Sequence, residues 1–225
     1  MGGRYGKHVV VIYPHPDDEA FGAAGTIAKF RNEGVPVTYL CGTLGEMGRN
    51  MGTPTYANRE SLPGIRKKEL IKACEVLDID LEMLGYRDKT IEFEDRKEMA
   101  ANLKGYLDKI KPSLVITHYP DYAVHPDHNA FGAAAIEAVA QMNPENRPTI
   151  WAQAFSNNHL EALGAPDITN DITPFFDKKL EAILAHDSQA NVSLNLQRPN
   201  EDPAMDAKER AKLRLGVEQF YTWEF

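Results

Sequence analysis

Two short segments carry the residue types that hydrolytic chemistry needs: His15-Pro16-Asp17-Asp18 near the N-terminus and His125-Pro126-Asp127-His128 in mid-chain. His15 and Asp18 are three residues apart, a spacing that can point an imidazole and a carboxylate at one ion, and Pro16 stiffens the turn between them. A catalytic metal site takes three protein ligands and leaves a position for water. His128 is the best candidate for the third, so the expected set is His15, Asp18 and His128. Asp17 is then left as a free carboxylate able to take a proton from water. His125 with Asp127 suggests an imidazole held by a carboxylate, suited to stabilising an oxyanion or protonating a leaving amine.

Either segment alone reads as a helix cap, with Asp17, Asp18 or Asp127 as capping residue. Both segments, however, place Pro after His and an acid two residues after it, and both follow apolar runs. That coincidence favours one shared metal site. Arg66 and Glu69 read by spacing as a solvated helix face. His186 lies at a helix C-terminus, where a cation is favourable in itself. His8, His118 and His159 have no partner that the sequence identifies, though His118 is close to the second segment. Gly45 to Gly52 is glycine-rich but lacks the Gly-Lys-Ser/Thr ending of a phosphate loop.

The elements that must position these residues alternate between strand and helix. His8–Tyr13, Val35–Cys41, Leu81–Leu84, Ser113–Thr117 and Thr149–Phe155 read as strands, and the first is apolar enough to be covered on both faces. Helical spacing covers Glu19–Asn32, Ile65–Leu77, Asp95–Ile110 and Asp127–Gln141. The region from Leu44 to Pro63 is a long loop of the kind that is usually functional. Such alternation predicts an α/β, doubly wound, mostly parallel sheet with helices on both faces, its functional loops at the carboxyl ends of the strands. After Pro166 the pattern weakens. Helices are expected over Phe175–His186 and Met205–Val217, a loop over Asn191–Pro203, and a last strand or docked tail over Tyr221–Phe225. One domain over 1–225, less regular from about residue 166, accounts for the chain.

With 43% apolar residues, the chain can build a sizeable core. A net charge of -8 argues against nucleic acid and anionic membrane as partners, since both need clustered Lys and Arg. Cys41 and Cys74 read as buried free thiols, and the N-terminal apolar run is too short for a signal or a membrane span. A cytoplasmic protein is expected.

The two motifs, with Thr43-Leu44-Gly45-Glu46, Arg66-x-x-Glu69, Leu84-Gly85-Tyr86-Arg87-Asp88 and His186-x-Ser188-Gln189, resemble the LmbE/PIG-L family of zinc-dependent N-acetylglucosaminyl deacetylases. The segments Gly45 to Asn50 and Ala123 to His128 are similar to the second type of bacillithiol biosynthesis deacetylase. The resemblance implies a Rossmann-like fold and deacetylation of N-acetylglucosaminyl malate to glucosaminyl malate and acetate. It implies zinc on His15, Asp18 and His128, with iron(II) an alternative. It implies Asp17 as general base, His125 as acid and electrostatic helper, and Asp127 orienting His125. Arg66, Glu46 and Arg49 are expected substrate contacts, and Arg59 and Arg87 are further candidates for the malate carboxylates. A tyrosine that assists at the oxyanion in mycothiol deacetylases is replaced here by Ala123, which leaves His125, the metal or Tyr122 for that task. Family members commonly self-associate, so a homo-oligomer is expected. The rival readings are amide hydrolysis of bacillithiol S-conjugates and metal or sugar binding without catalysis.

Overall fold

The computed structural model describes residues 7–190 and 205–225. Among them, seven strands form one sheet: β1 (Val9–Tyr13), β2 (Val37–Cys41), β3 (Asp80–Met83), β4 (Leu114–His118), β5 (Thr149–Gln153), β6 (Ile168–Asp171) and β7 (Val217–Thr222). Their order is β3-β2-β1-β4-β5-β7-β6. The first five are parallel, with β1 between β2 and β4. All five residues of β1 are buried, as expected of a central strand of β-branched residues covered on both faces.

Alternation along β1 divides the core. Val9, Val11 and Tyr13 pack on one face with Ile27 of α1 (Ala24–Asn32), Leu70 of α2 (Leu62–Leu77) and Ile183 of α6 (Phe176–Ala185). Val10 and Ile12 pack on the other with Leu103 of α3 (Arg96–Ile110) and Ala135 of α4 (Pro126–Ala140). The doubly wound expectation is therefore met. A short α5 (His159–Leu163) precedes β6.

From β1 the chain steps outward to β2 and β3, then returns to place β4 on the other side of β1. The connections leaving β1 and β4 thus diverge, opening a crevice at their carboxyl ends, the usual ligand site of such sheets. His15 follows β1 and His125 follows β4, so the strand order alone brings the two motifs to one edge.

Three details differ from the sequence expectation. Glu19–Asn32 is a wide π turn over Glu19–Ala23 followed by α1. The weakly patterned region after Pro166 contributes the antiparallel strands β6 and β7. The helix expected over Met205–Val217 is α7 (Ala207–Leu215), and Val217 already belongs to β7. These strands are short and partly exposed, so their side chains carry little periodic signal. The loop expected over Asn191–Pro203 lies outside the described residues.

Glu218 ties β7 to the core. It is 3% exposed, and its carboxylate accepts from the Gly25 and Thr26 N–H groups at 2.9 and 2.7 Å. Lys179 Nζ of α6 donates to it at 2.7 Å and also to the Phe21 carbonyl. Glu218→Ala leaves the Lys179 charge buried without its partner and should lower stability by about 3–5 kcal/mol. Urea denaturation will check this, and adding Lys179→Met should cost less than the sum of the single variants.

Candidate active site

His15 and Asp18 sit on the turn between β1 and the π turn, whose geometry is tightly held. Asp17 has φ of 96°, a left-handed conformation costly for any residue but glycine. Its N–H donates to Glu19 Oε2, and its carbonyl accepts from Ala20 and Phe21. Asp18 Oδ2 accepts from the His15 N–H at 2.9 Å, while Tyr39 Oη donates to the His15 carbonyl at 2.6 Å. Across the crevice, His125 is the N-cap of α4, with Nδ1 accepting from the Asp127 N–H. His128 lies one turn further along.

The expected ligand atoms converge. His15 Nδ1 lies 3.2 Å from His128 Nε2, and the Asp18 carboxylate is 3.4 Å from the first and 3.3 Å from the second. The far side of each ring assigns its proton. His128 Nδ1 is 3.0 Å from the Ala123 carbonyl, so its hydrogen belongs there and Nε2 carries a lone pair. His15 Nε2 faces two carboxylates, Asp88 Oδ1 and Asp127 Oδ2, each at 3.2 Å, so its hydrogen belongs there too. Two nitrogen lone pairs and a carboxylate therefore meet in a buried corner. That repulsive arrangement becomes favourable around a cation, and the acceptors behind each imidazole are those that ligand histidines use. His15, Asp18 and His128 fit a divalent ion.

The electrostatics show how strongly this corner attracts positive charge: without an ion, His15 itself tends to hold a second proton. Burial pushes the His15 imidazole down, but hydrogen bonds from Asp127, Asp18 and Asp88 outweigh it and raise its pKa well above the ordinary value. For Asp18, burial is outweighed by His128 and His15, which hold the carboxyl well below its usual range. Asp17 behaves differently. Burial pushes it up to about 6, against the opposing pull of Arg66. Burial, with His15 and His128 adding to it, lowers His125, which favours a neutral ring.

Asp17, His125, Arg49 and the three ligand residues line one cavity of about 500 Å³, a size suited to a small ligand. For four residues the structure supplies partners that the sequence did not identify. Asp127 lends its backbone N–H to His125, but its carboxylate orients His15 and accepts from the Lys89 N–H at 2.7 Å. Arg66, expected to touch substrate, lines the cavity, and although 4% exposed it also donates to the Gly45 and Pro16 carbonyls and the Asp17 carboxylate. It holds the Asp17 side chain in place. Gly45 permits this contact: its φ is 60°, and a Cβ there would meet Arg66 Nη1 at 1.8 Å. Glu46 is absent from the cavity wall and instead accepts from the Asp88 N–H at 3.0 Å. Tyr122 packs edge-on against Tyr119 and does not line the cavity, whereas His125 does.

Other residues acquire partners that spacing could not supply. Asp88 holds His15, and its place in the Leu84–Asp88 turn was the only signal. His186, rather than serving its helix end, pairs with Glu19 at 2.6 Å in full burial. Glu69, expected on a solvated face, accepts from the N–H and hydroxyl of Ser188. His118 is stacked between Tyr13 and His128, with ring centroids at 4.3 and 4.1 Å. Because Asp127 orients a ligand without joining the ligand set, Asp127→Asn should weaken affinity for an added divalent ion about 10–100-fold while the fold persists. Competition against a chromophoric chelator will measure it.

Comparison with known proteins identifies the family. The family model described as PIG-L: GlcNAc-PI de-N-acetylase matches residues 10–139. The chain is 49% identical over 221 residues to a probable N-acetyl-alpha-D-glucosaminyl L-malate deacetylase 2 of Bacillus cereus, covering 97% of this chain and 99% of that protein. It is 52% identical over 184 residues to the protein of the same description in Bacillus subtilis, covering 81% and 83%. Among solved structures, the N,N'-diacetylchitobiose deacetylase of Pyrococcus horikoshii superposes with a TM-score of 0.71 at 29% identity, covering 96% of this chain and 84% of that one. The match spans both His-Pro-Asp motifs and most of the sheet that carries them, and the chain belongs to the PIG-L family of de-N-acetylases.

Proposed function

We propose that the protein hydrolyses the N-acetyl group of N-acetylglucosaminyl malate, releasing acetate and glucosaminyl malate. The convergence of His15 Nδ1, His128 Nε2 and the Asp18 carboxylate carries this reading, because it suits a cation at the floor of a sugar-sized cavity. The malate aglycone is the one named for the Bacillus relatives. Zinc suits two imidazoles and a carboxylate, and iron(II) suits them nearly as well. Such an ion supplies Lewis acidity, activating water near neutral pH and polarising an amide carbonyl.

The chain's own residues supply the rest. In the reaction, water oxygen adds to the acetamide carbon and the C–N bond breaks. The oxygen leaves in acetate, and a proton goes to the amine. Asp17 accepts the proton from the attacking water. Arg66 fixes its Oδ2 at 3.0 Å, so the other oxygen is free to do so. His125 Nδ1 is occupied by the Asp127 N–H, so a neutral His125 presents Nε2–H as a donor. That hydrogen bond stabilises charge on the acetamide oxygen or supplies the amine's proton. Two buried free thiols, Cys41 and Cys74, suit a reducing, cytoplasmic setting. Among the described residues no helix is long and apolar enough to cross a membrane.

Metal analysis with an acetate-release assay on N-acetylglucosaminyl malate tests the whole reading. Chelation should abolish turnover, and zinc or iron(II) should restore it. Replacing His15, Asp18 or His128 with Ala should remove metal and activity together. Asp17→Asn should retain metal and lose about 10³-fold in kcat, a loss that a non-catalytic sugar binder does not show. His125→Ala should lose about 10²–10³-fold with metal retained. Turnover by Asp17→Asn near the wild-type rate rejects the base assignment.

A further inference from the structure

The cavity has two ends of opposite character. Its floor holds Asp17, Asp18 and Asp88 with the two ligand imidazoles. Its exposed rim holds Arg49, on the β2–α2 connection, and Lys89, on the β3–α3 connection. Other cations nearby are already engaged. Arg66 is held by Gly45, Pro16 and Asp17, and Arg59 donates to the Gly48 carbonyl at 2.7 Å. Among the described residues, neither Arg49 nor Lys89 has an ion pair or side-chain hydrogen bond.

Both rim cations stand on braced backbone. Lys89 has φ of 62°, and its N–H is fixed on Asp127 Oδ2 at 2.7 Å. The carboxylate that orients His15 thus also anchors Lys89. Arg49 follows Gly48, whose N–H donates to Gly45 and whose carbonyl accepts from Arg59. A protein of net charge -8 gains nothing in solubility from isolated cations facing a cavity.

We infer that Arg49 and Lys89 form the specificity subsite for a carboxylate-bearing aglycone, selecting anionic over neutral N-acetylglucosaminides. This rests on the deacetylase reading above and adds the residues that choose among its substrates. A dicarboxylate such as malate offers one carboxylate to each cation, while the acetamide is held at the acidic floor.

The test compares N-acetylglucosaminyl malate with the neutral methyl N-acetylglucosaminide, using metal-loaded protein. Arg49→Gln and Lys89→Gln should each raise KM for the malate glycoside about tenfold, with kcat changed less than about twofold. The ratio of kcat/KM values, anionic over neutral, should fall by the same factor, and Lys89→Arg should restore most of it. Salt at about 0.5 M should raise the wild-type KM for the anionic substrate and do so less in the double variant. An equal loss on both substrates, or no loss on either, overturns the subsite and leaves deacetylation standing. Wild-type protein that turns over neither substrate overturns the deacetylase reading and the subsite with it.

Discussion

The site depends on one convergence: His15 Nδ1, His128 Nε2 and the Asp18 carboxylate meet within 3.4 Å of one another in a buried corner that attracts positive charge. Neither ring is free to turn away. His128 is held by the Ala123 carbonyl and stacked on His118, and His15 by Asp88 and Asp127. The surrounding groups therefore hold three potential donor atoms together where a positive charge is favourable. The preorganisation is in the protein, which is where a metal site has its precision.

Around that corner, the same residues serve two tasks. Asp127 holds His15 through its carboxylate and His125 through its N–H, coupling the two histidines of the cavity. Arg66 holds Asp17 while bracing the loop that forms one wall of the cavity. Glu19 receives the Asp17 N–H on one oxygen and His186 on the other, so the left-handed Asp17 is fixed from below by a buried ion pair. Strain at Asp17 persists because these contacts over-determine it.

The C-terminal portion contributes more than closure of the sheet. His186 and Ser188, which follow α6, reach Glu19 and Glu69, and Gly52 of the long loop donates to the Ser188 carbonyl. Glu218 of β7 caps the start of α1 and pairs with Lys179. Late residues thereby set the stiffness of the first βα turn, far away in sequence.

The sequence by itself determined the parallel α/β core and singled out His15, Asp18 and His128 as a candidate ligand set. Continuous β-branched strands such as Val9–Tyr13 have few other stable uses, and His15, Asp18 and His128 are marked by residue type, spacing and position after such strands. It also marked Asp17 and His125 as the leftover proton-transfer groups. Tertiary structure decided the partners. That Arg66 reaches Asp17, that the Asp127 carboxylate turns to His15, and where Glu46, Asp88 and His186 point are contacts between residues about 40 to 170 positions apart. Local pattern carries no information on such pairs, because they arise only when separate loops meet at the edge of one sheet. The strands β6 and β7 were hidden for a related reason: being short and half-exposed, they owe their existence to pairing with each other and with β5.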